Sequence, residues 1–119
     1  MRVITLQGRQ GDILIERIDA IPPGAKPTKE RTVALGESQG HGHVLVAEPK
    51  TKMKVFVDAQ EEDVFYCEAK GQAAMEHLMV STGVWTGEHH PVSIPDGTYR
   101  ISRQYQYDPY ADAIEIVAD

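Results

Sequence analysis

Ile94-Pro95-Asp96-Gly97-Thr98-Tyr99-Arg100-Ile101-Ser102-Arg103-Gln104-Tyr105-Gln106-Tyr107 is the stretch on which the fold reading turns. Pro95 presets φ for the first central position of a tight turn and Gly97 supplies positive φ, so a turn leads into an extended run. In that run Tyr99, Ile101, Arg103, Tyr105 and Tyr107 share one face, while Arg100, Ser102, Gln104 and Gln106 share the other. A period of two with one wet face specifies a strand.

Working outward, the rest of the chain repeats this texture. Short apolar bursts are separated by Gly, Pro and Asp, and the 3.6-residue spacing of an amphipathic helix is almost absent. Strands are expected at 3–6, 12–18, 32–35, 43–47, 53–57, 64–69, 77–81, 92–94, 98–107 and 114–117. Ile21-Pro22-Pro23-Gly24-Ala25 must be a turn, because each proline fixes φ and lacks a ladder donor. Residues 71–79, GQAAMEHLM, fit either a strand or one or two helical turns. About ten short strands predict a mainly β chain, a single small β-barrel or jelly-roll-like sandwich with 1–119 as one domain.

A chain of 119 residues, 41% hydrophobic and 25% charged, is large enough to bury a core without disulfides. Twelve Lys and Arg against eighteen Asp and Glu leave a net charge of -6, which works against phosphate backbones and anionic membranes. Cys67 is the single cysteine, so neither an intrachain disulfide nor a Cys-rich zinc site can form. With no signal-peptide run and no apolar segment of membrane-spanning length, a cytoplasmic location is expected.

Four of the five histidines fall in two clusters, His41-Gly42-His43 and Glu88-His89-His90. On a strand, positions i and i+2 point the same way, so His41 and His43 can present two imidazoles to one point. Gly40 and Gly42 leave room for a ligand or a second strand to approach the backbone. Glu48, Glu88 and His89, with His90 beside it, are the companion donors. Imidazole with carboxylate suits zinc, iron, manganese, nickel or copper better than calcium or magnesium. The expected metal set is therefore His41, His43, Glu48, Glu88 and His89, for Zn, Fe, Mn or Ni. A structural polar cluster, a pH-responsive interface or metal-free acid-base catalysis are the other readings of the same residues. His77, between Glu76 and Leu78 in an apolar run, reads as hydrogen-bonded packing and is set aside.

His41-Gly42-His43 followed by Glu48 resembles the first metal motif of the cupin superfamily, and Pro95-Asp96-Gly97 resembles the turn of its second. Arg100 stands where that family places its last histidine ligand, and Val55 where it places a glycine. The resemblance implies a cupin-like barrel, with His89 or His90 in place of the missing ligand. A broader pattern includes GDILI at 11–15, IPPGA at 21–25, GHGH at 40–43, EHH at 88–90, IPDGTY at 94–99 and VAD at 117–119. It resembles a family of short uncharacterised bacterial proteins, which implies a shared architecture and no particular chemistry.

Other chemistries find no support. None of Ser38, Ser81, Ser93, Ser102 and Cys67 sits in a nucleophile motif, and Cys67 reads as core. Residues 36–40, GESQG, lack the lysine of a phosphate loop, so no nucleotide is expected. Tyrosines on a sheet can stack bases, but Asp108, Asp112, Glu115 and Asp119 follow without any Lys or Arg, which argues against nucleic acid. Tyr and Arg are also favoured in protein interfaces. Tyr99, Arg103, Tyr105 and Tyr107 are thus the candidate interface of a homo-oligomer or partner-binding module, the alternative to metal-dependent work on a small molecule. Whether the chain is an enzyme stays open at this point.

Overall fold

The computed structural model describes residues 1–35, 40–108 and 113–116, with side chains described up to residue 104. The strands in order are β1 (Val3–Gln10), β2 (Ile13–Ile18), β3 (Lys26–Thr28), β4 (Thr32–Leu35), β5 (His41–Ala47), β6 (Lys52–Val57), β7 (Val64–Lys70), β8 (Ala73–Met79), β9 (Val84–Trp85), β10 (Val92–Ile94), β11 (Gly97–Arg103), β12 (Tyr105–Asp108) and β13 (Ala113–Ile116). Antiparallel pairing arranges six as β1-β2-β11-β7-β6-β3 and four as β10-β8-β5-β4, with β9 added on β8. β12 and β13 pair only with each other. The fold is all-β, as expected, and its two main sheets are not closed into a barrel; the sandwich side of the expectation is the one observed.

Alternation explains the layering. Ile13, Ile15, Val55, Cys67, Ala69, Tyr99 and Ile101 from the larger sheet meet Val33, Leu45, Ala73, Met75 and Ile94 from the smaller in one buried cluster. The opposite face of the larger sheet buries a second cluster, Ile18, Val64 and Tyr66, against Ile21 and Ala25 of the proline turn. That turn closes with Ala25 N–H donating to Pro22 O at 3.1 Å.

Residues 71–79 resolve in favour of a strand. Burial along β8 follows the pleat, and seven of its residues pair with β5, from Ala73 opposite Ala47 to Met79 opposite His41. Tertiary pairing outweighs the helical propensity of Ala and Met.

The connections β5 to β6, β7 to β8 and β10 to β11 cross between the sheets at one end of the sandwich. They are stitched together there. Thr51 Oγ1 donates to Gln72 O at 2.9 Å, Gln72 N–H donates back to that hydroxyl at 3.0 Å, and Asp96 Oδ2 accepts Gly71 N–H at 3.2 Å. Gly71 has φ +127°, and a Cβ there would stand 2.6 Å from Thr51 Oγ1, so this crossing requires glycine.

The strand that opened the sequence reading is shorter than expected and more central. β11 stops at Arg103, a break at Gln104 follows, and β12 begins at Tyr105. β11 is hydrogen-bonded to β2 on one side and β7 on the other. Tyr99 is wholly buried and its hydroxyl donates to Pro95 O at 2.6 Å, while Arg103 is bound to Asp12. Neither residue is therefore an exposed interface group, a correction to the sequence expectation: the Tyr-bearing face is the core face. The side chains of Tyr105 and Tyr107 lie outside the described residues. One edge of the larger sheet is β1, where Val3, Ile4 and Leu6 are exposed and two register shifts interrupt the ladder.

Cys67 is core, as read from sequence, and burial pushes its thiol up to about 12. Because the thiolate is the reactive form, native protein at about pH 8 is expected to resist a thiol-directed reagent and to label fully once denatured. Rapid native labelling would contradict the buried position.

No helix among the described residues is long and apolar enough to cross a membrane.

Candidate functional site

The smaller sheet carries its histidines at the end away from the crossings. On the inner face of β5 and β8 the cross-strand pairs run Leu45 with Met75, His43 with His77, and His41 with Met79. The apolar core thus passes into an imidazole pair and then into His41 at the rim. Alternation along two antiparallel strands produces this ladder directly. Gly42, on the other face, is required by close approach: a Cβ would lie 2.9 Å from Val80 Cγ2 and 3.2 Å from Ala34 O.

The segment 86–90 follows β9 and folds back over the ladder. His89 brings a fourth ring, 4.8 Å from that of His77 and 5.7 Å from that of His43. His77 is the hub, with ring centroids 4.8 Å from His43 and 5.7 Å from His41. Glu88 reaches both neighbours: Oε1 lies 3.2 Å from His41 Nδ1, and Oε2 lies 3.7 Å from His77 Nδ1. One donor atom from each of His41, His77 and Glu88 falls within 4.8 Å of the others.

Thr86 Oγ1 donates to the His77 carbonyl at 3.2 Å and accepts Glu88 N–H at 3.2 Å. The same oxygen lies 2.6 Å from His77 Nδ1. His41 Nδ1 and His89 Nε2 are buried nitrogens with no hydrogen-bond partner among the described residues. Such groups are costly to bury, and an ion satisfies them as well as a hydrogen bond does.

His43 shares the face of His41, as its spacing requires, yet it presents neither nitrogen to that point. Its Nδ1–H donates to Gln10 Oε1 at 2.8 Å, and Nε2 lies 3.7 Å from Asp12 Oδ1. Asp12 is itself wholly buried and accepts from Arg103 Nε. Glu48 is exposed beyond the far end of β5, about 16 Å along the chain direction from His43 at ordinary strand rise. Arg100 lies on the outer face of the larger sheet with its Nη1 3.4 Å from Glu16 Oε1. His90 is exposed, and its ring lies 6.3 Å from that of Trp85.

The structure therefore brings together His41, Glu88 and His89 from the sequence set, uses His43 as packing, and leaves Glu48 outside. It adds His77, Thr86, Gln10 and Asp12. A sequence signal existed for Asp12: Gly11-Asp12 directly before the apolar run Ile13-Leu14-Ile15 is a two-residue turn pattern, and Gly11 indeed has φ +56°. His77 had none, since only the register of β5 against β8 places it opposite His43.

A cavity of about 600 Å³ lies elsewhere, lined by Gly24, Lys26, Val57, Asp58, Ala59 and Gln60. It holds no cluster of imidazole or thiol groups, so the chemistry is assigned to the histidine end. Residues 9–104 match the family model described as Domain of unknown function (DUF8820). Neither the curated proteins nor the solved structures contain a match to the chain.

Proposed function

The chain belongs to the family of that domain of unknown function, so its role must be argued from the site, and we propose that it binds a divalent transition metal through His41, His77 and Glu88. The His89 ring packs beside these donors, 4.8 Å from that of His77. The convergence of two strand histidines and a loop carboxylate carries this reading. Donors about 2.1 Å from one tetrahedral ion stand about 3.4 Å apart. The His41 Nδ1 to Glu88 Oε1 distance of 3.2 Å already matches, and the exposed Glu88 is the group free to close the wider gap.

Charge supports the same reading. Residues 32–47 and 73–94, which carry the whole smaller sheet, contain no Lys or Arg, so that sheet itself brings no cationic side chain against an ion. The donor set suits Zn, Fe, Mn or Ni. Such an ion supplies a Lewis acid with open positions, so metal-dependent activity on a small molecule is part of the proposal. The cupin arrangement plays no part in it, because Glu48 is far from the ladder.

Protein purified without an affinity tag and reconstituted with Zn is expected to hold about one ion per chain. The His41→Ala/Glu88→Gln double variant is expected to hold none. Elemental analysis showing trace metal in both removes the proposal.

A further inference from the structure

Gln10 ends β1 in the larger sheet, yet its side chain bonds only to the smaller sheet and to the segment that leads into β10. It is 2% exposed. Nε2 donates to Met75 O and to His90 O, both at 2.9 Å, and Oε1 accepts from His43 Nδ1–H at 2.8 Å. The amide orientation is unambiguous, because two carbonyl partners accept only from Nε2. One buried side chain therefore ties together β8, the ring that packs on His77 and His89, and the end of the segment carrying Glu88.

The geometry points to Gln10 as the positioning residue of the metal site, an inference that rests on the metal reading above. Segment 86–90 belongs to no strand, is mostly exposed and includes Gly87 at φ +80°. Without anchors it would sample many conformers, and each ion bound would have to order it. Two anchors hold its end: Gln10 on His90 O, and the Trp85 indole donating to His89 O at 2.8 Å. Gln10 is the one that also fixes the strand beneath and the neighbouring imidazole. It thereby sets the height of Glu88 above His41 and His77 before metal arrives.

Trp85 is the chain's single tryptophan and reports on the segment with no metal present. In the metal-free wild type, the Gln10 side-chain amide protons are expected to exchange as slowly as strand amides; exchange at the rate of a solvated glutamine overturns the proposal. Gln10→Met keeps the bulk and removes all three hydrogen bonds. Gln10→Glu keeps an acceptor for His43 but turns an oxygen on two carbonyls. Each folded variant is expected to shift Trp85 emission, raise its quenching by acrylamide and weaken Co2+ binding about 10- to 100-fold. Wild-type emission together with wild-type Co2+ affinity in a folded variant overturns the role. Should the wild type bind no Co2+, the metal reading fails alone, and the metal-free Trp85 and exchange measurements still decide whether Gln10 positions the segment.

Discussion

Asp12→Ala is expected to destabilise the protein by about 3–5 kcal/mol, the usual cost of removing one partner of a buried ion pair. The carboxylate is 0% exposed, with the Arg103 guanidinium on Oδ2 and His43 Nε2 3.7 Å from Oδ1. Its backbone carbonyl also accepts Gln104 N–H at 2.8 Å, a bond that the substitution spares. What is lost is the counter-charge of a guanidinium whose side chain is only 19% exposed. Small domains have about 5–15 kcal/mol in total, so the loss is about a fifth of it or more. Urea unfolding measures it directly. The double variant Asp12→Ala/Arg103→Met is expected to recover much of the loss, since it leaves no uncompensated charge behind. A single-variant loss under about 1 kcal/mol would mean that the pair is screened by water, contrary to its burial.

Which features were legible in the sequence follows from how far each depends on distant residues. Strand identity is local: alternation in residues 98–103 and punctuation by Pro95 and Gly97 located β11, and Pro22-Pro23-Gly24 located the turn after β2. Orientation is not local. The Tyr99 face was assigned to an interface because a strand's own sequence does not say how many sheets cover it, and here the smaller sheet buries Tyr99 completely. The cluster was half legible for the same reason. The i, i+2 spacing put His41 and His43 on one face, and the local Glu88-His89 pair was visible. The role of His43 depended on Gln10 and Asp12 arriving from another sheet. Glu48 was drawn in by motif spacing alone, although strand residues 44–47 carry it away from the site.

His77→Ala is expected to lower metal affinity more than 100-fold, beyond the 10- to 100-fold loss typical of outer-shell partners. Three facts single it out among the donors. It is 0% exposed and held on the middle of β8, whereas Glu88 sits on a loop and is 43% exposed. Its ring is also tied to the loop that carries Glu88, because Thr86 Oγ1 lies 2.6 Å from its Nδ1 and accepts Glu88 N–H at 3.2 Å. Its ring also packs on those of His41, His43 and His89, so truncation loosens the other donors as well. The accompanying loss of stability is expected to be about 1–3 kcal/mol, as for other truncations of packed side chains. Working well below the unfolding midpoint therefore separates binding from folding. Glu48→Ala is the matched control and is expected to leave affinity unchanged. Chelator competition with Zn or Co2+ reads both variants. Retention of affinity within about threefold by His77→Ala would place the ion elsewhere, and an equal loss in Glu48→Ala would restore the motif reading that the strand geometry excludes.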